Sequence, residues 1–140
     1  MRTVSWVLLA LVGLATLGLS LVSAGVAYRA AADQIGPSTL DEVAAGRPEV
    51  ATALRGRRGT AAAYAAAYAT LFLFIVLGPY RRGDRGSWWA LLAGSLVLAA
   101  IAAARIPFLG TRLGTGTAAV PLAIVVVALL LDVRRLSGAR

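Results

Sequence analysis

Four apolar stretches without a single Asp, Glu, Lys, Arg or His in their interiors, residues 4–28, 60–80, 87–104 and 113–131, constrain this chain more than any other feature. At ~1.5 Å of rise per helical residue, each approaches or exceeds the ~30 Å thickness of a bilayer's hydrocarbon core. The chain has 140 residues, of which 59% are hydrophobic, and its mean hydropathy is +0.80. Soluble domains sit near ~45–50% apolar, and small ones leave much of their surface exposed. A soluble core of this size would not bury the excess, and lipid is the solvent that accounts for it. The expected fold class is all-α: a single membrane domain over residues 1–140, built as an integral bundle of four transmembrane helices.

All 14 basic residues are arginine, against six acids, for a net charge of +8. These arginines flank the apolar stretches, where long basic side chains reach the headgroup layer and anionic lipid attracts them. The membrane therefore explains the charge before nucleic acid does, and no nucleic-acid partner is expected. Cysteine and histidine are both absent, which removes disulfides, the usual zinc, haem and copper ligands, and thiolate or imidazole catalysis. No metal or cofactor is expected. Ion-coupled transport and proton relays place acidic, basic or imidazole groups at membrane depth, and the interiors of the apolar stretches hold no Asp, Glu, Lys, Arg or His.

The first stretch is bracketed by Trp6 and Tyr28, as interfacial aromatics bracket a span. Val22-Ser23-Ala24 has the small residues of a signal-peptide cleavage site, but the apolar run exceeds the ~7–15 residues of a signal core and only Arg2 precedes it. A retained helix is expected. Residues 29–59 form the one long polar loop. Ser38 with Asp41, or Thr39 with Glu42, would make a capping box for a short amphipathic helix. Gly46 would end that helix, and Pro48 would begin another leading into the second span. The links at 81–86 and 105–112 are short enough to force antiparallel hairpins. Four spans put both termini on one side with seven arginines on each face, so the count of basic residues does not orient the chain. Arg81-Arg82 and Arg134-Arg135 directly abut spans, which favours cytoplasmic termini in a multi-pass protein of the cell membrane.

Small residues recur at helical spacing: Ala10, Gly13, Ser20, Ala24 and Ala27 in the first span; Ala61, Ala65 and Ala69 beside Ala62 and Ala66 in the second; Ser95, Ala99 and Ala103 beside Ala90 and Gly94 in the third. Such stripes let helices approach closely in lipid. They predict a tight centre of spans one to three, with the bulkier fourth span facing more lipid. Tyr64, Tyr68 and Phe72 share one face of the second span. They read either as the wall of a pocket for a lipid tail or small hydrophobic ligand, or as an aromatic packing stripe. Arg55, Arg58 and Arg105, with Arg29, Arg57 and Arg112, are expected on one membrane face. They read as a lipid-headgroup site or as partners of the loop acids. Arg105 is expected to pair with Asp33. Gly110, Gly114 and Gly116 lack the strand–loop–helix context of a phosphate-binding loop.

Pro79-Tyr80-Arg81-Arg82-Gly83-Asp84-Arg85, followed by Trp88-Trp89, resembles a junction found in small bacterial multi-helix membrane proteins without an assigned activity. Arg57-Arg58-Gly59 and Arg105-Ile106-Pro107 fit the same likeness, which covers the second and third spans. In size and layout the chain resembles DoxX-like four-helix membrane proteins. The resemblance implies a four-helix fold and transfers no functional residue. With no catalytic residues to nominate, the expected function is non-enzymatic: a structural or accessory protein of the lipid bilayer, packing against a second copy or another membrane protein. The alternative is a lipid- or small-hydrophobic-ligand-binding protein, or a minor transporter, using the Tyr64 and Tyr68 face.

Overall fold

The structure, a computed structural model, describes residues 2–29, 34–35, 37–110 and 115–133. Helices dominate: α1 (Arg2–Arg29), α2 (Leu40–Ala44), α3 (Pro48–Ile75) running into a π-helical turn (Val76–Tyr80), α4 (Arg85–Leu109) and α5 (Thr115–Leu131). Three segments are long and apolar enough to cross a membrane: Thr3–Arg29, Pro48–Tyr80 and Arg85–Leu109. α5 has 17 residues, and residues 111–114, the start of the expected fourth span, lie outside the described residues.

Local signals in the sequence set most of the helix ends. Of the two candidate capping boxes, the one on Thr39 forms. Glu42 N–H donates to Thr39 Oγ1 at 3.3 Å, and Thr39 N–H donates to Glu42 Oε2 at 2.8 Å. α2 stops one residue before the expected glycine, with Ala45 in the left-handed region at φ 48° followed by Gly46 at φ 73°. Ahead of α2, Gln34–Ile35 pairs antiparallel with Ser38–Thr39, Ile35 opposite Ser38, an addition to the expected loop. Pro48 begins α3, where its missing N–H costs nothing. The segment it begins is not separate from the second span, because no breaker interrupts the helix between 48 and 75. Asp84 caps α4 by accepting from Ser87 N–H at 2.6 Å.

The expected link at 105–112 is a correction: α4 continues through Arg105, Ile106 and Pro107 to Leu109. Proline within the last turn forfeits one hydrogen bond without ending the helix at once. Gly110, left-handed at φ 62°, ends it, its N–H donating to Ile106 O at 3.1 Å.

The chain forms two compact units, residues 1–14 with 71–140, and residues 15–70. In the first, Leu9, Ala10 and Gly13 of α1, Phe72, Val76 and Tyr80 of α3 and its π turn, Trp88, Leu91 and Ser95 of α4, and Val125, Ala128 and Leu129 of α5 are buried. In the second, Ser20 and Ala27 of α1, Leu40 and Ala44 of α2, and Gly59, Ala62 and Ala69 of α3 are buried. The small-residue stripes of α1 and α3 thus point inward, though Ala61 faces out.

The prediction that the fourth span faces lipid more than the third needs correcting. α4 is the least buried of the three long helices, at 11% of its apolar window against 22% for the others. Ala90 and Ala103 are exposed, whereas α5 packs along α4 and has Val125, Ala128 and Leu129 buried. The bulky side chains of α5 are divided between the two sides of the helix, with Val127 and Leu130 outward.

Candidate functional site

Two sets of polar side chains are drawn into helix–helix contacts, one in each unit. In the unit of residues 1–14 and 71–140 the set is built around the C-terminal end of α5. The last carbonyls of any helix lack intrahelical donors. Here Ser5, fully buried on α1, donates through Oγ to Ala128 O at 2.7 Å, and Trp88 Nε1 of α4 donates to Leu129 O at 3.1 Å. Leu129 O also accepts from Asp132 N–H at 3.1 Å. Ser5 Oγ lies 2.6 Å from the hydroxyl of Tyr80, also fully buried. A serine hydroxyl has one proton, and Ser5 spends it on Ala128 O, so Tyr80 is the donor in this pair.

The π-helical turn holds Tyr80 beside this end. It widens α3 at Pro79, which has no N–H to return, and its carbonyls close the following turn: Asp84 N–H donates to Pro79 O and Gly83 N–H to Tyr80 O, both at 3.1 Å. Gly83 permits that turn by its positive φ of 103°. Just beyond, the Arg81 guanidinium stacks 4.9 Å over the Trp6 ring, and Trp88 meets Trp89 edge-on with centroids 4.9 Å apart. Asp132 is buried at this end of the unit rather than reaching headgroups as its place at a block end suggests. Sequence reasoning did not single out Ser5, Tyr80 or Trp88 as a set; their position within a turn of block ends was the available signal.

In the unit of residues 15–70 the set lies where α3 leaves its polar first turns. Arg55, Arg58 and Gly59 share one face of α3 by their i, i+3 and i+4 spacing. Arg58 Nε donates to Ser23 Oγ of α1 at 3.4 Å, near the outer limit of a hydrogen bond. The Tyr28 hydroxyl lies directly over Gly59, in the space that any side-chain carbon there would occupy. Arg55 is half-buried, and its Nε is fully buried with no acceptor among the described residues. Arg57 points outward. Below these residues a groove of about 310 Å³ between α2 and α3 is lined by Asp41, Ala44, Gly46, Arg47, Pro48 and Ala51.

Of the arginines expected on one face, Arg55 and Arg58 stand on one side of α3, both half-buried. Arg105 belongs to the other unit and is exposed on α4. Asp33, its expected partner, lies outside the described residues, as does Arg112. The aromatic stripe of α3 drifts around the helix: Tyr64 is 74% exposed, Tyr68 half-buried and Phe72 buried. Each four-residue step advances the face by about 40°, which accounts for the graded burial along the stripe.

Comparison with known proteins gives no match: no family model, no curated protein and no solved structure is similar to this chain. The likeness to DoxX-like proteins stands on its sequence features alone.

Proposed function

We propose that the chain is a four-span protein of the cell membrane, non-enzymatic, acting as a structural or accessory component by packing against a second copy or another membrane protein. The observation that carries the membrane reading is an inside-out distribution of side chains. Leu19, Leu71, Phe74, Leu96, Val97, Ile101 and Leu130 are exposed, while Ser5, Ser20, Ser87, Ser95 and Tyr80 are buried. Water rejects that arrangement and lipid favours it, since in a bilayer polar groups must find partners inside the protein. In this reading α5 is the fourth span, its 17 residues at the short end of the ~17–25 that cross a bilayer. The termini face the cytoplasm, with Arg81, Arg82, Arg134 and Arg135 at the inner headgroups. The accessory role is supported by the exposed apolar surface of α4, the least buried of the three long helices.

Because the chain has no cysteine, single cysteines placed at Thr3, Glu42, Arg85 and Gly138 report topology directly in intact cells. An impermeant thiol reagent is expected to label only Glu42→Cys. Labelling of Arg85→Cys from outside, or release of the protein by alkaline carbonate, overturns the four-span reading. Crosslinking in native membranes, followed by purification in mild detergent, tests the accessory role. Recovery of a strictly monomeric, partner-free protein would defeat it.

A further inference from the structure

We propose that Arg55 and Arg58 form a binding site for a phosphate group, with the Tyr28 and Ser23 hydroxyls beside it. The inference rests on the membrane reading above and adds a ligand to it. Its starting point is the state of Arg55. A guanidinium carries five N–H donors and stays charged in any environment a protein offers. Burying its Nε without an acceptor is costly, and such groups in folded proteins are ordinarily satisfied by protein, water or ligand. Among the described residues none reaches Arg55 Nε. The neighbouring Arg58 adds a second guanidinium one helical turn along the same face and spends its Nε on a long 3.4 Å bond to Ser23. The Tyr28 hydroxyl over Gly59 completes a cluster of donors from α1 and α3.

The chemistry of that cluster selects its ligand. The Cβ atoms of i, i+3 residues stand about 5–6 Å apart on a helix, close enough for two long, flexible arginine side chains to reach different oxygens of one tetrahedral oxyanion. Arginine pairs bidentately with phosphate, and such charge-assisted bonds are the strong ones. Location agrees. From Arg58 to Tyr80 the helix is apolar, and at ~1.5 Å per residue that distance matches a ~30 Å hydrocarbon core. Arg55 and Arg58 directly precede that apolar run in the sequence, where the basic residues of a span meet lipid phosphates. The exposed acids Asp41, Glu42 and Glu49 sit on α2 and the first turn of α3, and none of them accepts from Arg55 Nε.

Native mass spectrometry of the full chain, released from nanodiscs of phosphatidylcholine with and without phosphatidylglycerol, tests the site. The expected result is retained phosphatidylglycerol on the wild type, reduced at least about tenfold in Arg55→Gln and Arg58→Gln, as loss of one charge-assisted contact implies. Arg57→Gln, which removes the same charge from the outward face, is expected to retain the lipid as wild type does. Arg55→Lys keeps the charge and guards against a folding defect, and its retention is expected to fall between the two. A parallel titration with inorganic phosphate in detergent separates the sources. Displacement of lipid by phosphate assigns a site for the bare anion, and no displacement assigns the lipid headgroup. Equal retention in Arg55→Gln, Arg57→Gln and wild type overturns the proposal. So does a gain in lipid retention on Asp33→Asn, which would show that the loop carboxylate already serves Arg55. If carbonate extracts the wild type, the membrane reading fails first. The phosphate titration still tests the arginine pair by itself.

Discussion

The two compact units place polar groups in their helix contacts differently. In the unit of residues 1–14 and 71–140 the set of Ser5, Tyr80 and Trp88 is neutral and sealed, beside the buried Asp132: Ser5 and Tyr80 are fully buried and close a chain of hydrogen bonds onto Ala128 O, with Trp88 on Leu129 O. In the unit of residues 15–70 the set at the polar start of α3 is made of guanidiniums, half-buried, with Arg58 bonded to Ser23 and Arg55 Nε buried without an acceptor among the described residues. The difference follows from donor number. A hydroxyl or an indole N–H is satisfied by one carbonyl, and a helix end supplies carbonyls without donors. No single hydroxyl satisfies a guanidinium, so it settles at the margin of a helix contact where an acceptor from outside can reach it.

Substitutions that load each unit separately break or sharpen this contrast. The largest effect is expected from Gly13→Leu. A Cβ at Gly13 would already lie 2.7 Å from Leu73 Cδ2 and 3.2 Å from the buried Phe72 ring. Overpacking there should cost about 3 kcal/mol, the upper end of the usual range. A thermal unfolding curve in detergent unchanged from wild type would show that this unit is not tightly packed. Ser5→Ala should come next, at about 2 kcal/mol, because it removes both the donor to Ala128 O and the acceptor that Ser5 offers the Tyr80 hydroxyl. Tyr80→Phe should cost only about 1 kcal/mol, since Ser5 keeps its bond to Ala128 O. The double variant should fall short of the sum, and strict additivity would mean that the two hydroxyls do not act together. The smallest effect is expected from Gly59→Ala, under about 0.5 kcal/mol. The added carbon meets only the far end of Tyr28, a largely exposed side chain free to swing away. Stability loss there as large as at Gly13 would erase the distinction between the units.

Much of the architecture was legible because local physics decides it. Unbroken apolar runs become long helices whatever surrounds them, as the three spanning-length segments show. Thr39 with Glu42 carries both halves of a capping box, and Pro48 begins α3 where proline fits best. Other boundaries misled for equally local reasons. Arg105 and Pro107 look like a link, yet a helix tolerates both within its last turn and stops only at Gly110. Two capping boxes were open on paper, and the pairing of Ser38 with Ile35 fits the choice of Thr39 over Ser38.

The candidate sites divide along the same line. Charge and spacing marked Arg55 and Arg58 in advance, because two arginines on one helix face before an apolar run are visible in any listing of the residues. The set of Ser5, Tyr80 and Trp88 was not visible, because its members are separated by 75 residues between Ser5 and Tyr80 and by 41 between Trp88 and Leu129. Nothing local distinguishes a serine that caps another helix from one that bonds its own, as Ser20 does with Thr16 O. Which face of α3 turns inward was also undetermined for the aromatic stripe: periodicity groups Tyr64, Tyr68 and Phe72, but only packing sends Phe72 in and leaves Tyr64 out. By itself the sequence determined that the chain builds long apolar helices, where most of them start and stop, and which ionisable groups lie beyond their ends. Those outcomes depend on neighbours within a few turns. Tertiary structure decided which polar groups are sealed, which helix end they cap and which guanidinium lacks an acceptor. Those outcomes depend on the meeting of segments far apart in the chain, which no residue specifies alone.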